Sequence, residues 1–201
     1  MVQIKFTKSE LRNQQLKLTQ LNRYLPTLQL KKAMLQSEVN AANVEVDELT
    51  AIYEAEKKEA ETFQSLLSTD LSSEFLESLV VVEVIKEYES IAGVEIPHFK
   101  KVVFSEVSYA LFDTPFWMDD ALMYLKALIA SKEKIRVAQE KKRLLEQELR
   151  EVSIRVNLFE KIMIPRTMQN IKKIKVFLGD QQLAAISQAK VAKRKILEKI
   201  G

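Results

Sequence analysis

Cysteine is missing altogether from this chain of 201 residues. Its absence excludes disulfide bonds and thiolate metal sites and suits a reducing compartment. Glycine is nearly missing, occurring only at Gly93, Gly179 and Gly201, and proline is confined to Pro26, Pro97, Pro115 and Pro165. So few breakers among so much Leu, Lys, Glu, Gln and Ala point to long helices. No glycine-rich phosphate loop of the G-x-x-x-x-G-K or G-x-G-x-x-G type is present. The single histidine, His98, sits in or beside a turn, where a solvent-facing role is the simpler reading, and it has no cysteines with which to build a metal cluster. A net charge of +3 from 31 basic and 28 acidic residues leaves no general basic face for nucleic acid. Apolar runs are short as well. LVVVEVI at 79–85 is the most apolar, is broken by Glu83, and falls far below the ~18 residues of a membrane span. The opening MVQIKFTKSELRNQQ is too polar for a signal peptide. These absences argue against a catalytic site, a cofactor, a metal, a nucleic-acid partner and direct membrane insertion.

What is present is periodicity. A 3-4 spacing runs through Leu11, Leu18, Leu21, Leu25, Leu28, Leu35, Val39, Ala42, Val46, Leu49, Tyr53, Ala60, Phe63 and Leu67, with only Gln14, Lys32 and Glu56 polar at the expected positions. So long a match favours a coiled-coil seam, although an ordinary helical-bundle core would show the same spacing over fewer turns. Thr7 or Ser9 is suited to cap the helix, with Glu10 completing a capping box after Thr7. A helix of this length extends roughly 80 Å. A second helix begins near DTPFWMDDAL, with Asp113 or Thr114 as N-cap, Pro115 at the first helical position and Asp119 and Asp120 on the positive end of the dipole. Its stripe is Ile135, Ala138, Leu145, Leu149, Val152, Val156, Phe159 and Met163, interrupted by Lys142, Arg166 and Asn170. The stripe then slips by about one residue to Ile164, Ile171, Ile174 and Leu178. The slip falls at Pro165, where the ring removes a donor and crowds the preceding turn. If the chain folds back through its middle, the helices are antiparallel and facing positions sum to roughly 190. Pro26 then lies near the level of Pro165, where a bend or packing change is expected, and residues beyond about 180 have little opposing chain.

Between the helices, residues 68–78 read as a short helix or loop. Leu79–Tyr88 reads as a strand, Ile91–Pro97 as a turn region with Gly93 free to take positive φ, and Phe99–Val107 as a second strand. A lone hairpin is marginal in water and needs the helices or a partner to pack on. Tyr109, Leu111, Phe112, Phe116 and Trp117 are placed to fasten it to the helices or to anchor a partner. The expected fold is mainly α: a long antiparallel two-helix coiled coil formed by the N- and C-terminal helices (1–67 and 115–201), with a central segment (68–114) holding a small β-hairpin and a short helix. At the far end Lys190, Lys193, Arg194 and Lys195 flank a narrow stripe of Ala185, Ala189, Ala192 and Ile196. The cations either complement the helix dipole or form a tip that enters a partner.

Three segments resemble one family, the D subunits of the V-type (archaeal/vacuolar-type) rotary ATPases. FTKSEL near the start is similar to the family's P-T-K-S-x-L, and IAGVEIP at 91–97 to its V-A-G-V-x-x-P. RVNLFEKIMIPR at 155–166, followed by IKKIKVFL, is similar to its R-V-N-A-x-E-x-x-I-P-R, with Leu158 and Phe159 as departures. The resemblance implies a central rotor stalk, not itself an enzyme, turning inside a hexamer of catalytic A and non-catalytic B subunits (A3B3). It would transmit torque to a membrane ring that translocates ions. It implies a small F subunit and a membrane socket subunit as further partners, and a cytoplasmic, membrane-peripheral place. The residues it marks as candidate hexamer contacts are Arg155, Val156, Asn157, Ile164, Pro165, Arg166, Lys190, Lys193, Arg194 and Lys195. Candidate contacts to the F subunit or the socket are Val81, Val82, Val84, Gly93, Pro97, Phe112 and Trp117. A non-rotary coiled-coil tether is the alternative, and it would dimerise in parallel with a second copy. The shaft of an F-type enzyme is a poor fit, because that family carries a much larger central domain than 68–114 provides.

Overall fold

The computed structural model describes residues 4–61, 73–105 and 117–200. Its elements are α1 (Lys8–Glu61), α2 (Ser73–Ser78), β1 (Val81–Ile91), β2 (Val94–Phe104), α3 (Met118–Asn157), a π-turn (Leu158–Met163) and α4 (Ile164–Ile200). They divide into two compact units, residues 33–150 and residues 1–32 with 151–201. The expected mainly helical fold with end helices and a central antiparallel hairpin is what the chain adopts.

In the unit of residues 33–150, the 3-4 spacing of α1 becomes a buried edge. Leu35, Val39 and Ala42 are buried, Val46, Leu49 and Tyr53 are half-buried, and Ile52 and Val44 beside them are exposed. Ala138 and Leu145 of α3 are buried as well, and Lys141 Nζ meets Glu45 Oε2 at 2.9 Å. That pair joins α1 and α3 at the expected level. Phe63, Leu67, the suggested caps Asp113 and Thr114, and Pro115, expected at the first helical position, lie outside the described residues. The first bond of α3 runs from the Ala121 N–H to the Trp117 carbonyl at 3.0 Å, with Asp119 and Asp120 in the first turn.

The hairpin differs from expectation in its turn. The strands continue through the region read as Ile91–Pro97, leaving a turn of Ala92 (φ 51°) and Gly93 (φ 79°). Two left-handed residues make the type I′ turn whose twist matches paired strands. Gly93 takes that conformation freely; Ala92 does so at a cost of roughly 1 kcal/mol, which sequence reading did not foresee. Pro97 pairs opposite Tyr88. Counting outward from the Ile91–Val94 pair puts it at a non-hydrogen-bonded position, so its missing N–H would have faced away from β1 and the strand tolerates it. His98 is therefore mid-strand, not in the turn.

The hairpin is fastened to α3. Lys86 Nζ reaches Glu140 Oε2 at 2.6 Å, Lys134 lies over the Phe99 ring at 5.7 Å and Lys126 over Phe104 at 5.6 Å. Val137, 3% exposed, is buried off the coiled-coil stripe because α3 carries a second covered face. A small cluster of Met118, Ala121 and Leu122 takes in Leu79, Trp117 and Leu125.

In the unit of residues 1–32 with 151–201, Thr7 is the cap. Its hydroxyl accepts from the Glu10 N–H at 3.2 Å, and its carbonyl from the Leu11 N–H at 3.0 Å. Leu21, Val152, Val156 and Ile174 are buried, and the Phe6 and Phe177 rings meet with centroids 4.9 Å apart. Leu145→Ala is expected to destabilise the chain by about 2–5 kcal/mol through the cavity it leaves, whereas Ile154→Ala changes stability by less than about 0.5 kcal/mol; denaturant titration followed by helical circular dichroism measures both.

Candidate functional site

The stretch 155–166 holds the one irregularity of the long helices among the described residues. Helix α3 ends at Asn157, and Leu158–Met163 forms a π-turn in which the Ile164 N–H donates to the Phe159 carbonyl, five residues back. A π-turn accommodates one residue more than an α-turn. The expected slip in the stripe is thereby explained: on the earlier phase Arg166 would enter the seam, but Thr167 is buried in its place and Arg166 is exposed. The Thr167 hydroxyl donates to the Met163 carbonyl at 2.7 Å, so the polar group in the seam is satisfied. Pro165, with no N–H to offer, follows directly and is exposed. Pro26, by contrast, sits within a continuous α1.

The other signature positions divide by exposure. Val156 is buried and packs in the seam. Arg155 is exposed and pairs along its own helix with Glu151 at 3.4 Å, Asn157 is exposed and Ile164 half-buried. Residues 180–198 are exposed on every face, Lys190, Lys193, Arg194 and Lys195 included, with Arg194 3.7 Å from Glu198. Leu183, Ile186, Ile196 and Leu197 in the same stretch are more than half exposed.

In the other unit, Val82 is 67% exposed at a β-bulge, Val81 and Val84 are half-buried, Pro97 is buried and Gly93 is at the turn. Trp117 is half-buried against the Met118 cluster. Phe112 lies outside the described residues. His98 Nε2 lies 3.3 Å from Glu89 Oε2 without being aligned to hydrogen-bond. Among the described residues no His, Asp or Glu cluster is arranged to hold a metal ion, and no helix is long and apolar enough to cross a membrane. The Lys100 ammonium, hydrogen-bonded to Glu87 at the hairpin surface, holds that carboxyl below its ordinary range.

A family profile for the ATP synthase D subunit matches residues 10–194. The chain belongs to the ATP synthase D-subunit family. Relatives named as the D subunit of V-type ATP synthase occur in Chlamydia abortus, 44% identical over 198 residues (98% of this chain and 95% of the relative), and in Chlamydia trachomatis serovar L2, 46% over 195 residues (96% of each). The same-named protein of Chlamydia pneumoniae is 42% identical over 196 residues (97% and 94%). The family match takes in the hairpin, the π-turn and most of the exposed C-terminal stretch.

Deleting Glu160 from the π-turn is expected to restore a continuous α-helix while keeping Thr167 and Ile174 in the seam, because the deletion removes the one surplus residue. Deleting Arg150 moves Val152 out of the seam. Melting temperature should fall less in the first variant, which loses only the widened turn beside Pro165, than in the second, which loses seam contacts. Lys100→Ala is expected to return the Glu87 carboxyl to its ordinary titration range, followed by carboxyl NMR. Since the folded value is the depressed one, the small surface contribution of this pair is present above the usual carboxylate range and is lost as pH falls below it.

Proposed function

We propose that this chain is the central rotor stalk of a V-type ATPase or ATP synthase, a non-catalytic subunit that carries torque between an A3B3 hexamer and a membrane ion-translocating ring. ATP is bound and hydrolysed, or made, on the hexamer. The chain is cytoplasmic and peripheral to the membrane. Its two end helices engage the hexamer, and the central segment engages the F subunit and the socket subunit.

The observation that carries the reading is the stretch 180–198, which is helical yet exposed on all faces and rich in exposed apolar side chains. Such a surface calls for a partner, and the near-full-length match to relatives named as V-type ATP synthase D subunits supplies its kind. The tether reading needs free stripes for a second copy. Leu35, Leu145, Val152 and Ile174 are already fully buried within one chain, which disfavours it.

Native mass spectrometry of the chain with A and B subunits, with and without the F subunit, tests the reading. One copy per A3B3 hexamer is expected, since an asymmetric stalk cannot satisfy equivalent sites at once. No binding, or one copy for every A–B pair, rules the stalk out.

A further inference from the structure

Between the start of α1 and the π-turn lies an open groove of about 520 Å³. Leu158, Ile162 and Met163 give it an apolar wall, and Lys5, Lys17 and Arg166 line it with positive charge against the single carboxylate of Glu10. That carboxylate already accepts a hydrogen bond from Gln14 Nε2 at 2.8 Å. None of the three cations makes an ion pair among the described residues, and all three are exposed. Ile162 is 55% exposed and Leu158 40%, beside the half-buried stripe residues Phe159 and Met163. The π-turn creates this arrangement, for it is the one-residue slip that turns Arg166 out of the seam.

We propose that this groove is a docking site for an acidic segment of a hexamer subunit, one that sets an apolar side chain on Leu158 and Ile162 while its carboxylates meet Lys5, Lys17 and Arg166. The proposal rests on the stalk reading and names the chemistry of one of its contacts. Charge complementarity identifies the occupant. An acidic segment finds three unpaired cations, one of them a guanidinium suited to bidentate carboxylate binding. The apolar wall favours a polypeptide over a free anion, because it offers a small ion no donors.

The test compares wild type with Lys17→Glu/Arg166→Glu in binding to the A3B3 hexamer at low and high salt, with Lys101→Glu, an exposed charge change on the hairpin and away from the end helices, as control. The double reversal is expected to weaken binding by about tenfold or more at low salt, with the difference shrinking as salt screens it, and the control to stay within about twofold of wild type. A photo-crosslinking residue placed at Ile162 reads the contact directly on a chain without charge reversal. Capture of an acid-rich segment of a hexamer subunit supports the proposal. Wild-type affinity in the double variant overturns it, as does a crosslink to a second copy of this chain or to a segment without acids; in those cases wild type still binds as one copy per hexamer and the stalk reading stands. If wild type does not bind the hexamer at all, both fall.

Discussion

The apolar seam between antiparallel helices is the constraint on which the other features depend. A 3.5-residue repeat must keep facing its partner, or the apolar side chains leave the interface in a body and the helices lose their reason to pair. In each unit the deepest helical positions are seam positions: Leu35 and Leu145 in one, Val152 and Ile174 in the other. Polar seam residues Gln14, Lys32, Glu56 and Lys142 are held half-buried, and the Oε2 of Glu56 is itself buried with no hydrogen-bond partner among the described residues. They fix alignment better than they add stability.

Pro165 is the place where this constraint meets a residue that breaks helices. A proline ring displaces the carbonyl one turn back and offers no hydrogen bond in return. The chain absorbs the disturbance by widening one turn, and the wider turn shifts the repeat so that a neutral hydroxyl with its own local acceptor enters the seam and a guanidinium stays in water. A buried, unpaired arginine there would cost several kcal/mol. The irregularity thus relieves backbone and seam together, and the same movement shapes the surface beside it.

The seam was legible because it repeats. Every α1 position named from spacing and lying among the described residues, from Leu11 to Ala60, is buried or half-buried, and the slip near Pro165 was visible as a break in phase. The Thr7 cap and the left-handed Gly93 were legible from local chemistry. The hairpin limits were not. Pro97 reads as a terminator unless the pairing register is known, since only register says which way its missing N–H would point. Ala92 carries no mark of a left-handed backbone. Val137 went unnoticed because it is buried by a strand pair from elsewhere in the chain, and periodicity along one helix records only one neighbour. In the candidate site, Arg155 and Arg166 were picked out together, yet they differ: one is held by Glu151 on its own helix, and the other is free.

The all-round exposure of residues 180–198 has a thermodynamic consequence. No tertiary contact holds this stretch, so its order follows helix–coil statistics, with a costly nucleus supplied by the packed helix that precedes it. It should fray from its end inward as the temperature rises, opening and closing on its own while the seam remains intact. Any surface that captures the segment must also restrict that fraying. Part of the attraction goes into ordering, and the grip on the tip is correspondingly softened: a contact that can let go and re-form without disturbing the paired helices behind it.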